Sequence, residues 1–325
     1  MRMKNMGLDG PEVPVVCFGT WPLGGAYGGF EESNAIATMK AAIDVGLTFI
    51  DTAEAYMNAE AIIGKSIIGK RDKLFIATKV SGEDHSSENI NRALENSLKL
   101  MGIDHVDLYQ LHRTAERPIQ DTMYDLIRLQ ESGKIRYIGI SNFSAEEIDE
   151  AGKTGVINSG QPRYNMLFRE AEDDLIPAYE SNGIGVMAHS VLAKGLLGGR
   201  YKPGHSFSPD DERSGWPAFK GDSFDKTYSI TQKLHEWASD QGRDIVQLAI
   251  AWPVSKTPVY TSIVGARKID DVDILARAGD WELSSKDISE IEQIQGTHRL
   301  YMKDQEVPER SVWHEERRKA NSDNT

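Results

Sequence analysis

Short apolar runs alternate with longer amphipathic stretches from one end of the chain to the other. VVCF (15–18), LTFI (47–50), LFIAT (74–78), HVDLYQL (105–111) and IRYIGIS (135–141) read as buried strands. SGQP (159–162), IGVMAH (184–189) and YTSIV (260–264) continue the series with a weaker signal. The stretches between them carry helix punctuation. Ser87 is expected to cap a helix that buries Ile90, Ala93, Leu94 and Leu98 on one face. Pro118 opens a helix that Gly133 closes, Ser144 with Glu147 reads as a capping box, and Gly242 ends a helix that begins near Tyr228.

Eight strands, each followed by a helix, predict a parallel sheet with right-handed crossovers, and near-continuous apolar strands predict that both of its faces are covered. A closed (β/α)8 barrel and an open doubly wound sheet share this pattern. The first strand leads into FGTWPLGG, with Trp21 and Pro22 inside the turn, so the GxGxxG fingerprint of a dinucleotide-binding open sheet is missing there. The barrel is favoured. One barrel over residues 1–295 suits the 325-residue length, since such barrels use roughly 250 residues or more as a single unit. Two segments break the rhythm. Residues 190–227 read as one long loop rich in Gly, Pro, Ser and Asp, of a length usually reserved for function. Residues 296–325 read as a polar C-terminal extension relieved by Leu300, Tyr301 and Trp313, and its end, RRKANSDNT, is expected to be disordered.

Composition narrows the class. Hydrophobic residues make up 39% and charged residues 27%, and no apolar run approaches a membrane span. The opening MRMKNMGLDGPEVP lacks the apolar core of a signal peptide, and the single cysteine, Cys17, fits a reducing compartment, so a cytoplasmic location is expected. A net charge of −13 argues against a nucleic-acid surface. It also means that any phosphate site must be built locally, from backbone N–H groups and a few cations.

In a (β/α)8 barrel the reactive groups lie at the C-terminal ends of the strands. The second apolar run ends in Asp51, with Tyr56 five residues on; the third ends in Lys79 and the fourth in His112. Singly, each is more often a cap, a solvated edge or a packing residue. Together, at three successive strand ends, they form a set able to serve hydride transfer to a carbonyl. Negative charge builds on the carbonyl oxygen, so a proton donor and electrostatic support are needed there. A free phenol, with a pKa near ~10, is a poor donor at neutral pH. A buried Lys79 is expected to lower that value, Asp51 to keep the lysine charged, and His112 to hold the oxygen in line; no metal is called for.

FIDTAEAY, IATK, DLYQLH and GKIRYIGISNFS, in this order, resemble the signature blocks of the aldo-keto reductase superfamily, with similarity from about Val15 to Ile294. REAEDDLIPAY and DDERSGWPAFKGDSF resemble its bacterial inositol-operon and sugar-linked members. The resemblance implies a catalytic tetrad of Asp51, Tyr56, Lys79 and His112, with Tyr56 as general acid. It implies that Ser141, Asn142 and Gln161 grip a nicotinamide carboxamide, and that Gly19, Thr20, Trp21 and Asp51 lie beside the cofactor. HSVLAKGLLGGRY resembles the pyrophosphate-binding segment, which puts His189, Ser190, Leu192, Lys194, Gly195, Leu196 and Arg200 at the cofactor. His189 stands where an aromatic ring usually stacks, and Val191 replaces a usual Pro. VGARKIDDVDIL resembles the adenosine-phosphate block, so Gly265 and Ala266 are expected to lead into a helix N-terminus and Arg267, with Lys268, to pair with a 2′-phosphate. Asp271 stands where Gln or His is common, and Ile274 and Leu275 replace an acid and Asn. Met57 follows Tyr56 where many relatives have Gly. Trp21, Tyr27, Trp216 and Trp313 are candidate pocket walls.

The expected function is NADP(H)-dependent reduction of an aldehyde or ketone, with a small carbonyl or alcohol as partner and NAD left open as cofactor. Two alternatives stand beside it: an NAD-linked sugar or polyol dehydrogenase, and a nicotinamide-binding regulatory subunit resembling the β-subunits of potassium channels.

Overall fold

The computed structural model describes residues 1–301 except 28, 29, 156, 210 and 212. A hairpin of β1 (Met3–Asn5) and β2 (Glu12–Pro14) precedes eight strands: β3 (Val16–Gly19), β4 (Phe49–Asp51), β5 (Phe75–Val80), β6 (Val106–Leu111), β7 (Ile135–Ser141), β8 (Ile157–Gln161), β9 (Gly185–Ala188) and β10 (Val259–Val264). All eight pair in parallel with their neighbours, and β10 returns to β3 to close the barrel. Each of the first six is followed by one helix: α1 (Glu32–Asp44), α2 (Ala59–Ser66), α3 (Ser87–Met101), α4 (Ile119–Glu131), α5 (Ala145–Gly152) and α6 (Leu175–Ser181). α7 (Gly221–Asp240) and α8 (Ile245–Val254) follow β9, and α9 (Val272–Ala278) and α10 (Ser285–Gln295) follow β10. The chain is therefore a closed (β/α)8 barrel, the architecture favoured over an open sheet by the missing GxGxxG fingerprint.

The period of two along each strand sorts its side chains into two cores. Val16, Phe18, Ile50, Ile76 and Tyr109 face the helices, while Cys17, Phe49, Ala77, Leu108 and Met187 fill the bore. The hairpin closes the lower end: Met6 and Val13 are buried in the bore cluster, and Lys4 Nζ donates to the carbonyls of Val254 (2.6 Å) and Val259 (3.0 Å). The same parity carried upward decides what reaches the mouth. Asp51 lies two residues past Phe49, Lys79 two past Ala77, Gln110 two past Leu108 and His189 two past Met187. Each therefore points inward at the C-terminal rim.

Several expected details move. The cap of α3 is Ser86, whose hydroxyl accepts from Asn89 N–H at 3.3 Å, and Ser87 is the first helical residue. The capping box at Ser144 and Glu147 forms as expected. Residues 190–227 are not one structureless loop: 3₁₀ turns span Ala193–Gly198 and Pro217–Phe219, and α7 begins at Gly221 rather than near Tyr228. At the start of the expected extension, Leu300 is buried and its N–H donates to the Leu167 carbonyl, while His298 Nε2 meets Thr227 Oγ1 at 2.8 Å. Residues 302–325, including Trp313 and the RRKANSDNT end, lie outside the described residues.

Candidate active site

The strand ends of β4 and β5 hold a buried ion pair. Lys79 Nζ, fully buried, donates to Asp51 Oδ1 at 2.9 Å and Oδ2 at 2.7 Å, and to the Thr52 carbonyl at 2.8 Å. It also reaches the Tyr56 hydroxyl at 3.5 Å. Burial works to lower the lysine's pKa; the Asp51 carboxylate and the Tyr56 phenol outweigh it, and the value ends above the ordinary one. The ammonium thus stays charged in a site from which water is shut out. Asp51 Oδ1 also accepts from Gln110 Nε2 at 3.2 Å and Gln161 Nε2 at 3.0 Å, so the carboxylate is gripped from β5, β6 and β8. Gly139 on β7 makes room for this: a Cβ there would stand 2.8 Å from Gln110 Cγ.

Tyr56 rides on the loop after β4, edge-on to Trp21 (4.9 Å between centroids) and to His112 (5.7 Å). The next residue, Met57, has φ +48°, a left-handed conformation that glycine adopts readily and methionine rarely does. The chain therefore keeps the turn that a Gly would favour, at some backbone strain. His112 follows β6 directly; its Nδ1 lies 2.7 Å from Ser81 Oγ, and its carbonyl accepts from Asn142 Nδ2 at 2.9 Å. Asn142, at φ +58°, also donates to Ser141 Oγ (3.1 Å), which donates in turn to the Gln161 carbonyl (2.9 Å).

A cleft of about 820 Å3 runs over these groups and out between the loops after β9 and β10. Of the residues named from sequence, Gly19, Trp21, Asp51, Tyr56, His112, Ser141, Asn142, Gln161, His189, Ser190, Leu192, Lys194, Gly195, Arg200, Gly265, Ala266, Arg267 and Asp271 line it. Three take other positions. Lys79 lies beneath the surface of the cleft, behind Asp51 and Tyr56. Thr20 is fully buried, its hydroxyl donating to the Asp51 carbonyl at 3.0 Å, and Leu196 packs into the core. Among the wall candidates, Tyr27 lines the cleft, whereas Trp216 is buried against Phe168 with Lys194 Nζ 5.1 Å above its ring.

The segment after β9 is a chain of left-handed residues: Ser190 (φ +58°), Ala193 (+46°), Lys194 (+54°) and Gly195 (+102°). These residues close tight turns, in which Ala193 N–H donates to the Ser190 carbonyl at 2.7 Å and Gly195 N–H to the Leu192 carbonyl at 2.8 Å. His189 Nδ1 lies 2.9 Å from Ser190 Oγ; burial, followed by the Arg163 and Lys79 cations, pushes its pKa down to about 3, so the ring is neutral. After β10 the backbone does not enter a helix at once. A 3₁₀ turn spans Ile269–Asp271, and α9 starts only at Val272. Arg200 reaches across to this turn and pairs with Asp271 through both terminal guanidinium nitrogens.

Four residues escaped the reading of the sequence: Gln110, Ser81, Glu54 and Arg213. Gln110 shares the inward parity of His112, a polar residue inside the apolar run DLYQLH, and that signal was available. Arg213 lies in the long loop, paired with Asp211 and with its guanidinium 4.5 Å from the centroids of both Tyr27 and Phe207. No local pattern marks it.

A barrel whose strand ends bring a phenol, a buried ammonium, a carboxylate and an imidazole together beneath such a cleft fits an oxidoreductase. The chain belongs to the aldo/keto reductase family, whose model matches residues 15–295. It is 35% identical over 309 residues to aldo-keto reductase YhdN of Bacillus subtilis, covering 90% of this chain and 93% of that one. It is 31% identical over 301 residues to probable aldo-keto reductase 1 of Glycine max, covering 88% and 87%. Among solved structures it resembles the glycerol dehydrogenase AKR11B4 from Gluconobacter oxydans, with a TM-score of 0.82, 30% identity and coverage of 91% and 95%. A thermostable aldo-keto reductase, Tm1743, solved with the inhibitor epalrestat, gives 0.75 at 29% identity, covering 90% and 100%. Among the described residues no helix is long and apolar enough to cross a membrane.

Proposed function

We propose that the chain reduces aldehyde or ketone groups, with Asp51, Tyr56, Lys79 and His112 as its catalytic residues and NADP(H) as its cofactor. The observation that carries this reading is the position of Lys79 Nζ, held by the Asp51 carboxylate and 3.5 Å from the Tyr56 hydroxyl. A nicotinamide held in the cleft would supply the hydride. Tyr56 gives its proton to the carbonyl oxygen, and the Lys79 ammonium steadies the phenolate that remains. His112, edge-on to Tyr56, orients that oxygen. Because Lys79 is buried and fixed in place, its field acts at low dielectric and needs no reorganisation as charge develops.

The residues fit a dinucleotide. The cleft volume lies in the upper part of the roughly 300–1,000 Å3 usual for small-molecule sites. The turns at 190–195, which bring Ser190, Leu192, Lys194 and Gly195 to the cleft wall, are read as the diphosphate site. Gln161, whose amide hydrogens are engaged by Asp51 and Gln110, offers its side-chain carbonyl to a carboxamide. Arg267 and Lys268, which line the cleft, favour a 2′-phosphate and hence NADP over NAD. We read residues 1–295 as the catalytic unit and 296–325 as an extension. The single, buried, free Cys17 suits a reducing compartment such as the cytoplasm.

The likeness to a glycerol dehydrogenase supports a second reading, in which the same groups run in the direction of alcohol oxidation and Tyr56 is the base. Three measurements test these proposals. Tyr56→Phe is expected to lower turnover on simple aldehydes by ~10²–10⁴ while leaving cofactor binding intact; full activity in that variant refutes the mechanism. NADPH and NADH titrations followed by fluorescence test the cofactor, and a carbonyl and polyol panel fixes the direction.

A further inference from the structure

The imidazole at the mouth has a support that the four-residue constellation does not include. Ser81 directly follows β5, two residues beyond Lys79, and its hydroxyl lies 2.7 Å from His112 Nδ1. Its backbone N–H donates to Glu54 Oε1 at 2.5 Å. Glu54 sits between Asp51 and Tyr56 in sequence, and its own N–H donates to the Lys79 carbonyl at 3.3 Å. The loop that carries Tyr56 and the strand end that carries Lys79 are therefore stitched to each other, and through one hydroxyl to the ring.

A neutral imidazole has one N–H and one lone pair, and the partner at one nitrogen decides which of the two the other nitrogen presents. A serine hydroxyl is able to donate to Nδ1 or to accept from it. Among the described residues the Ser81 hydroxyl meets no acceptor other than Nδ1, so donation to that nitrogen satisfies its proton. The opposite arrangement leaves that proton to solvent. With the Nδ1 lone pair occupied, the ring proton resides on Nε2.

We propose that Ser81, anchored by Glu54, is a positioning residue that holds His112 in its Nε2–H tautomer, so that the ring presents a hydrogen-bond donor to the substrate oxygen beside Tyr56. The proposal rests on the carbonyl-reducing reading for its consequence in catalysis, but not for its test. Two-bond proton–nitrogen correlation spectra of the full chain, labelled with ¹⁵N at histidine, report the protonated nitrogen of each ring without turnover. The His112 signals among the 8 histidines are those that vanish in His112→Gln. The expected result is a protonated Nε2 and an Nδ1 that accepts a hydrogen bond. Ser81→Ala is expected to give a mixture of tautomers and a loss of about tenfold in kcat/KM for the carbonyl, with cofactor affinity unchanged. Ser81→Thr, which keeps the hydroxyl, is expected to restore both. A wild-type His112 protonated at Nδ1, or unaltered tautomers in Ser81→Ala, overturns the proposal. If no carbonyl is reduced, the proposed function fails while the spectra still decide the tautomer.

Discussion

Lys79 and Arg200 are both cations beside the same cleft, and they are held by opposite means. Lys79 is fully buried at a strand end, with three protein oxygens within 3 Å, and its direction is fixed by the pleat of β5. Arg200 has 63% of its side chain exposed and is carried by a segment of turns, with Asp271 as its partner. The first arrangement is built before any ligand arrives and acts at low dielectric. The second is screened by water and salt, and can exchange its carboxylate for another anion at small cost. The difference teaches a division: the strand end holds its cation in a buried, fixed pair, and the turns hold theirs in an exposed pair that exchanges readily.

The largest break in this comparison is expected at the buried pair. Lys79→Met leaves the Asp51 carboxylate buried without its counter-ion. A loss of ~3–5 kcal/mol in unfolding free energy is expected by denaturant titration, with turnover down by ~10³ or more. The double variant Asp51→Asn with Lys79→Met removes the stranded charge, so it is expected to regain stability but no activity. A double variant as unstable as the single one argues against the pair as the cause.

Arg213 tests whether any loop cation behaves like a strand-end one. It is 7% exposed, paired with Asp211, donates to Tyr201 Oη at 2.7 Å and to the Lys194 carbonyl at 3.3 Å, and stacks on Tyr27 and Phe207. It therefore ties the long loop to the turn at 193–198 and to the first strand-to-helix loop. Arg213→Met strands Asp211, and a cost of up to ~3 kcal/mol is expected, felt first as faster proteolysis within 201–219. Cofactor affinity is expected to weaken about tenfold while the Lys79–Asp51 pair persists. Equal proteolysis of variant and wild type removes Arg213 from this role.

The same division explains what was legible in the sequence. The strands and the candidate site groups could be read because the signal is local: Asp51, Lys79 and His112 stand at the ends of apolar runs, and Tyr56 follows the first of these by five residues. The hairpin β1–β2 could not, because three-residue strands carry no period. α8 gives no helical signal because every residue from Ile245 to Val254 is buried, which leaves no polar face to mark a repeat. The first turns of α7 were read as loop because GDSFDK is polar and only Phe224 in it is buried. Residues whose meaning lies in contacts across the chain, such as Arg213 on Tyr27 or Ser81 on His112, leave no trace in spacing. Arg200 was assigned to a diphosphate, and its pairing with Asp271 lay beyond what either block could suggest alone.

His189 sits at the seam between the two regions, directly beyond β9 and at the start of the left-handed run. Its folded pKa of about 3 lies below the unfolded value near ~6.5. The unfolded chain therefore binds a proton that the folded chain refuses. Stability from this group is complete above pH ~6.5 and is lost as pH falls from there toward 3, by at most about 2 kcal/mol between pH 7 and pH 5. His189→Asn is expected to flatten that part of the stability profile relative to wild type. An unchanged slope shows that other groups, such as His85 or His298, whose values burial also lowers, carry it.

The smallest effect on stability and the sharpest on specificity are expected from Asp271→Asn. The pair with Arg200 is exposed on the arginine side, so its loss is expected to change unfolding free energy by less than ~1 kcal/mol. Asp271 nevertheless lines the cleft together with Arg267 and Lys268, where a 2′-phosphate is proposed to bind. Its charge opposes that phosphate and at the same time occupies Arg200. Replacing it with a neutral side chain removes a repulsion and releases a cation, and both changes favour NADP. A several-fold rise in NADPH affinity with little change for NADH is the expected outcome of paired titrations, growing as salt is lowered. Equal shifts for the two cofactors would mean that Asp271 acts on the part of the dinucleotide they share, and that the pair guards the cleft instead of selecting what enters it.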